Sequence, residues 1–144
     1  MNATMIKFGY PDTLVREYLH WVVVLRPQQA TLGALVLICK EEVDALSKVS
    51  TEAFSELKEI TTDIERTLIT CFANDKINYL LLMMVDRDVH FHVLPRYAGS
   101  RFWGQTEFTD LGWPGPPDLA QINKTDQSLN RKILQVLRQA FPDR

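Results

Sequence analysis

The sequence predicts an α+β fold, a mostly antiparallel sheet of about five strands with one main helix and a C-terminal helix. Three observations point there. β-branched and aromatic residues crowd positions 13–40, residues 50–72 carry a helical period, and an apolar run then enters the alternating stretch DVHFHVLPRY at 88–97. At 144 residues the chain can bury most of its apolar surface in one core, so a single domain over 1–144 is expected.

The elements follow in order. Thr13 to Leu25, TLVREYLHWVVVL, reads as two strands joined tightly around Tyr18 to His20. RPQQATLG then turns the chain, because Pro27 restricts its neighbours and Gly33 can take a backbone conformation that other residues avoid. Ala34 to Lys40 is the next strand. Phe54, Leu57, Ile60, Ile64, Leu68 and Phe72 recur every three or four residues, the period of an amphipathic helix. Ser50 is placed to cap that helix, and Glu52 lies in its first turn, where the helix dipole favours a negative charge. EEVDALSKV just before it is expected to add a turn or two.

Asn78 to Val85, NYLLLMMV, is apolar enough to be a strand covered on both faces, with Asp86-Arg87 as a compact turn into a strand at Val89 to Leu94. Glycines and prolines then break up residues 98–125 into an irregular, aromatic-rich segment. Long ordered loops are often functional, so a lid over a pocket is one expectation for its stretch from Gly99 to Asp118. A helix over 126–141, spaced by Leu129, Ile133, Leu137 and Phe141, closes the chain. The motif-bearing core is 13–97.

Composition excludes several classes. A net charge of −2 and a pI near 5.9 provide no general field for nucleic acid, so an anionic ligand must be held by local groups. Cys39 and Cys71 lack CxxC spacing and read as free, buried thiols of a reducing compartment. The start, MNATMIKFGY, has no basic region followed by a long apolar stretch, and no apolar run is long enough for a bilayer. A cytoplasmic protein without membrane contact is expected.

Side chains alternate along a strand, so Asp88, His90 and His92 share one face while Val89, Phe91 and Val93 pack on the other. Three uses are open to them. They are a solvated face, or carboxylate and imidazole ligands of a zinc or iron site, or a nucleophile with its helper. Neutral imidazole offers an unprotonated nitrogen at pH 7, and a neighbouring ring two residues on stands about 6 to 7 Å away, within reach of the same phosphate group. For the outer nitrogen to attack, the inner N–H should be bonded to a carbonyl that fixes the tautomer.

VHFHVLPRY resembles the signature of the histidine triad family, in which three histidines alternate with apolar residues and lead into an aliphatic pair, often followed by Pro-Arg. The order of strands, helix and hairpin over residues 13–97 is similar as well. The resemblance implies a diadenosine polyphosphate hydrolase-like protein, a nucleotide hydrolase or transferase cleaving at an α-phosphate. By position, His90 corresponds to the family's nucleophile and His92 to the histidine that hydrogen-bonds phosphate oxygens. Asp88 stands in place of the first triad histidine. The resemblance further implies a homodimer whose sheets join across the subunits, and chemistry that needs no cofactor or metal.

Other positions depart from the family pattern too. Val24-Leu25-Arg26 replaces an acidic or amide ribose contact, and Met84-Val85-Asp86-Arg87 replaces a glycine-rich phosphate loop. Arg26 and Arg96 are the candidate phosphate ligands, since a guanidinium fork suits a phosphate. Trp103 and Trp113 are candidates for stacking on a base. At pH 7 an anionic Asp88 is expected to raise the pKa of a nearby histidine. Two rival readings stand beside the enzyme: a non-catalytic nucleotide- or partner-binding protein on the same scaffold, and a metal-dependent hydrolase using Asp88, His90 and His92.

Overall fold

Strands β2 (Trp21–Leu25) and β3 (Leu35–Cys39) are buried at every position in the computed structural model, which describes residues 1–143. Their unbroken apolar runs require that, because a strand covered on both faces has no side for polar residues. Together with β1 (Leu14–Glu17), β4 (Lys76–Leu80) and β5 (His90–Arg96) they form a five-stranded sheet in the order β1-β2-β3-β5-β4. Every neighbouring pair is antiparallel.

Alternation sorts the sheet into two faces. Trp21, Val23, Leu25, Leu35, Leu37 and Val93 meet Ala53, Ile60, Ile64 and Leu68 of helix α2 (Thr51–Phe72) and Ile133 and Leu137 of helix α3 (Gln127–Ala140). The opposite set, Val22, Val24, Val36 and Ile38, packs on Met5 and Phe8 at a short N-terminal helix, α1 (Ala3–Lys7). The histidines of β5 belong to this second face, which α1 covers only in part.

Ser50 caps α2 as expected, its side chain accepting from Ala53 N, and the segment before α2 contributes one 3-10 turn at Leu46–Lys48. Gly33 lies at φ +84°, and a Cβ there would stand 2.7 Å from the Phe72 ring, so the turn before β3 needs glycine. Cys39 and Cys71 are both free thiols, the first buried and the second half-buried. No helix among the described residues is long and apolar enough to cross a membrane.

Two expectations are corrected. β4 is an edge strand that ends at Leu80, with partly exposed rather than doubly covered positions. Residues 81–89 form an irregular connection in place of a compact turn at Asp86-Arg87, with Met83 at φ 52° and Met84 and Val85 each 86% exposed. Apolar composition alone cannot distinguish a buried strand from an exposed apolar loop. Helix α1 was not foreseen. Five residues are too few to show a helical period, and its cap, Asn2, whose side chain accepts from Met5 N, is seen only in the structure.

Residues 98–125 are tied down along their length. Strands β6 (Arg101–Trp103) and β7 (Thr106–Phe108) make a hairpin, and Asn123 hydrogen-bonds the carbonyls of Gln29, Ala30 and Thr109. The chief anchor is Arg96. Its Nε and Nη2 donate to Asp110 at 2.6 and 3.1 Å, Nη1 donates to Asn78 and Nη2 also to the Gly115 carbonyl, with both charged side chains almost fully buried.

Breaking a buried pair strands the surviving charge, a loss of about 3–5 kcal/mol. Asp110→Ala is therefore expected to lower the urea unfolding free energy by about that amount. A change below 1 kcal/mol would mean that Arg96 is solvated in the native protein.

Candidate functional site

His90 and His92 stand opposite Ile38 and Val36 of β3 and face the side of the sheet away from α2. Their rings lie 5.2 Å apart and nearly perpendicular. Phe8 of α1 packs against both, at 6.2 and 5.8 Å between ring centres. The two histidines open into a cavity of about 290 Å³. Lys7 and Phe8 form one wall, Leu82 to Asp86 another, and Arg26, Gln28 and Leu119 complete it.

Nδ1 of His90 is 2.6 Å from the backbone carbonyl of Asp88. A carbonyl oxygen can only accept, so Nδ1 carries the proton and, in the neutral ring, the lone pair resides on Nε2. That is the tautomer an attacking imidazole requires.

His92 differs. Burial, together with the nearby His90, Arg26 and Lys7, drives its pKa down to about 4, and Asp86 only partly opposes the fall. The ring is therefore neutral at pH 7, and its buried Nδ1 has no hydrogen-bond partner among the described residues. A neutral imidazole still has one N–H to donate to an anion.

Arg26 is 9% exposed and donates from Nη1 to the Gln28 carbonyl at 2.7 Å, while its buried Nε has no hydrogen-bond partner among the described residues. Its pKa falls through burial alone, with no carboxylate restoring it. Buried charges are normally paired, so an uncompensated guanidinium lining a cavity invites an anion. Gln29 fixes this corner: Nε2 donates to the carbonyls of Arg26 and Ala34, and Oε1 accepts from Gly33 N.

Asp88 is near the histidines but turned from them. Its Oδ2 accepts from Thr4 N at 3.2 Å and Thr4 Oγ1 at 2.9 Å, so it is the backbone carbonyl, not the carboxylate, that meets His90. The carboxylate acting on His92 is Asp86, which also holds Lys7 Nζ at 2.8 and 3.0 Å. For His92 the role expected of Asp88, a carboxylate that raises the pKa, thus falls to Asp86. With its carboxylate given to Thr4, Asp88 does not converge with the imidazoles as the metal reading requires. Among the described residues no group of three His, Cys, Asp or Glu side chains is arranged to hold a metal ion.

Arg96 does not line this cavity, because its guanidinium is spent on Asp110, Asn78 and Gly115. Trp103 packs on Phe72, and Trp113 lies beside Arg96 in a separate hollow. No residue of the stretch 99–118 expected as a lid lines the cavity; Leu119, just beyond it, does, and packs near Leu80 and Leu94. Lys7, Phe8, Gln28 and Asp86 were missed as site residues. α1 was not foreseen, and the sequence carries no sign that it folds back over the histidine face.

The sequence matches no protein-family model and no curated protein. Solved structures of similar fold do exist. A histidine triad protein from Sinorhizobium meliloti superposes with a TM-score of 0.76 at 16% identity, covering 98% of this chain and 96% of that one. One from Marinobacter aquaeolei gives 0.74 at 15% identity over 98% and 94%. A hypothetical histidine triad nucleotide-binding protein from Sulfolobus tokodaii gives 0.69 at 14% over 95% and 88%. The chain therefore has the fold of histidine triad proteins, as its motif and element order suggested.

Two outcomes follow from the electrostatics. The folded His92 pKa of about 4 lies below the ordinary 6.5, so as pH falls the unfolded chain takes the proton first. The stability that neutral His92 contributes is present above pH 6.5 and is lost as pH falls towards 4. Urea titrations should show wild type losing more stability than His92→Phe between those limits; equal losses would place the His92 ring in solvent. Arg26→Met, which removes an uncompensated buried charge, should keep or raise the thermal midpoint while weakening the binding of an anion such as inorganic phosphate about tenfold or more. A lower midpoint with unchanged binding would make Arg26 structural.

Proposed function

We propose that this protein is a nucleotide hydrolase or transferase that cleaves at an α-phosphate, in a dinucleoside polyphosphate or a nucleoside phosphoramidate, through a nucleotidyl-histidine on His90. The carrying observation is the 2.6 Å contact from His90 Nδ1 to the Asp88 carbonyl, which assigns the lone pair to Nε2. The similarity to the Sulfolobus tokodaii protein, a hypothetical histidine triad nucleotide-binding protein, supports the substrate class.

In the first step the Nε2 lone pair attacks the α-phosphorus in line. A P–N bond forms as the bond to the leaving group breaks, and that group departs with its electron pair to be protonated by solvent. The new imidazolium keeps its Nδ1–H on the Asp88 carbonyl, which stabilises the charge it gains. Water then attacks phosphorus, the P–N bond breaks, and the nucleoside monophosphate leaves. Two accessible displacements replace one difficult one.

Arg26 and a neutral His92 are the donors for the phosphoryl oxygens. The first supplies charge and the second a single N–H. No cofactor or metal takes part in these steps. The assembly proposed is a homodimer joined through the free edge of β4, whose unpaired backbone is what a second sheet would extend. Two free thiols fit a reducing cytoplasm.

The test is intact-protein mass spectrometry within seconds of mixing with a panel of adenosine and guanosine polyphosphates and phosphoramidates. The quench should be denaturing but not acidic, since acid cleaves a histidine P–N bond. The expected result is an adduct of one nucleoside monophosphate that is absent from His90→Ala. Nucleotide binding with no adduct and no turnover would instead support a binding protein on a catalytic scaffold.

A further inference from the structure

The hydrogen-bond ladder between β3 and β5 runs out just before the site. Ile38 pairs with His90, and Cys39 N donates to the Val89 carbonyl at 2.9 Å. Asp88 lies one residue beyond, where its carbonyl turns to the His90 ring instead of a neighbouring strand. The sheet therefore does not set the direction of that carbonyl. Its own side chain does: one carboxylate oxygen receives both the N–H and the hydroxyl of Thr4, in surroundings that leave Asp88 only 8% exposed.

Thr4 is itself held. Asn2 caps α1 by accepting from Met5 N at 3.0 Å and donates to the Cys39 carbonyl at 2.9 Å, tying the start of the helix to the end of β3. At the other end of α1, Lys7 is bridged to Asp86 and Phe8 rests against both imidazoles. Asp86 and Asp88, two residues apart, thus grip α1 near both ends. The backbone between that grip and β5 delivers the carbonyl to His90.

We propose that Asp88 is a positioning residue for His90: by gripping Thr4, its carboxylate holds α1 and the Asp88 carbonyl in the geometry that fixes the His90 ring. An acidic side chain at this position then organises the nucleophile without approaching the substrate phosphate. The proposal deepens the reading of His90 as nucleophile and rests on it for its kinetic consequence. The fixed tautomer is independent of that reading.

Three variants test it: Asp88→Ala, Asp88→Asn and Thr4→Val. Nitrogen-15 NMR of the imidazole rings at pH 8 should show one His90 tautomer, protonated on Nδ1, in the wild type. In Asp88→Ala it should become a mixture of tautomers, and kcat should drop about tenfold or more with KM changed less than about threefold, since a displaced reacting group affects the chemical step before binding. Asp88→Asn keeps an oxygen that accepts from both Thr4 donors and should restore the single tautomer and most of kcat. Should Asp88→Ala fail to fold by circular dichroism, Thr4→Val, which removes one donor, should show the same changes in smaller measure.

A single Nδ1–H tautomer and wild-type kcat in the folded Asp88→Ala protein, or in Thr4→Val in its place, would overturn the proposal. A wild type that forms no nucleotide adduct while the variants still lose the tautomer would overturn the nucleophile and leave the positioning intact.

Discussion

Everything at the site depends on the alternation of one strand. β5 lies between β3 and β4, so neither of its edges is free, and its two faces belong to different layers. Val93 faces α2 and α3 while His90 and His92 face α1, and a one-residue slip in register would bury the imidazoles in the core and expose the valine. The apolar packing of Val89 and Val93 thereby fixes where the chemistry points. Arg96 at the end of the same strand pins the segment after it through Asp110, and Leu119 of that segment reaches the cavity.

The pocket has an unusual distribution of charge. Its most buried cation, Arg26, has no acidic partner, whereas its exposed cation, Lys7, is bridged to Asp86. His92 is neutral, and of the two permanent cations lining the cavity the Arg26 guanidinium lowers its pKa more than Lys7 does. Such a site is incomplete without an anion, because desolvating a charge costs free energy that a partner must offset. Asp86 and Asp88 do not supply that partner. Each is turned to α1, one on Lys7 and one on Thr4.

Much of this was legible in the sequence. The period of α2, its Ser50 cap, the paired strands before Pro27 and the shared face of His90 and His92 are local properties, set by spacing and turn chemistry within a few residues. What was not legible depends on long-range contacts. Arg26 and Arg96 look alike in the sequence; Asp110, fourteen residues from Arg96, is what separates a structural arginine from one left open to a ligand. Asp88 joins Thr4 across 84 residues, which no local pattern encodes. The apolar run through Val85 misled because exposed loops can also be apolar, and only the sheet order decided where β4 stops.

His90 as a covalent nucleophile is most directly tested by the stereochemical course at phosphorus. A dinucleoside polyphosphate, the proposed substrate, would be prepared with a single sulfur at the α-phosphorus in known configuration and hydrolysed in oxygen-18 water. Two successive in-line displacements through a nucleotidyl-histidine predict retention of configuration. Inversion would mean that water attacks the α-phosphorus directly and that His90 never bonds to it.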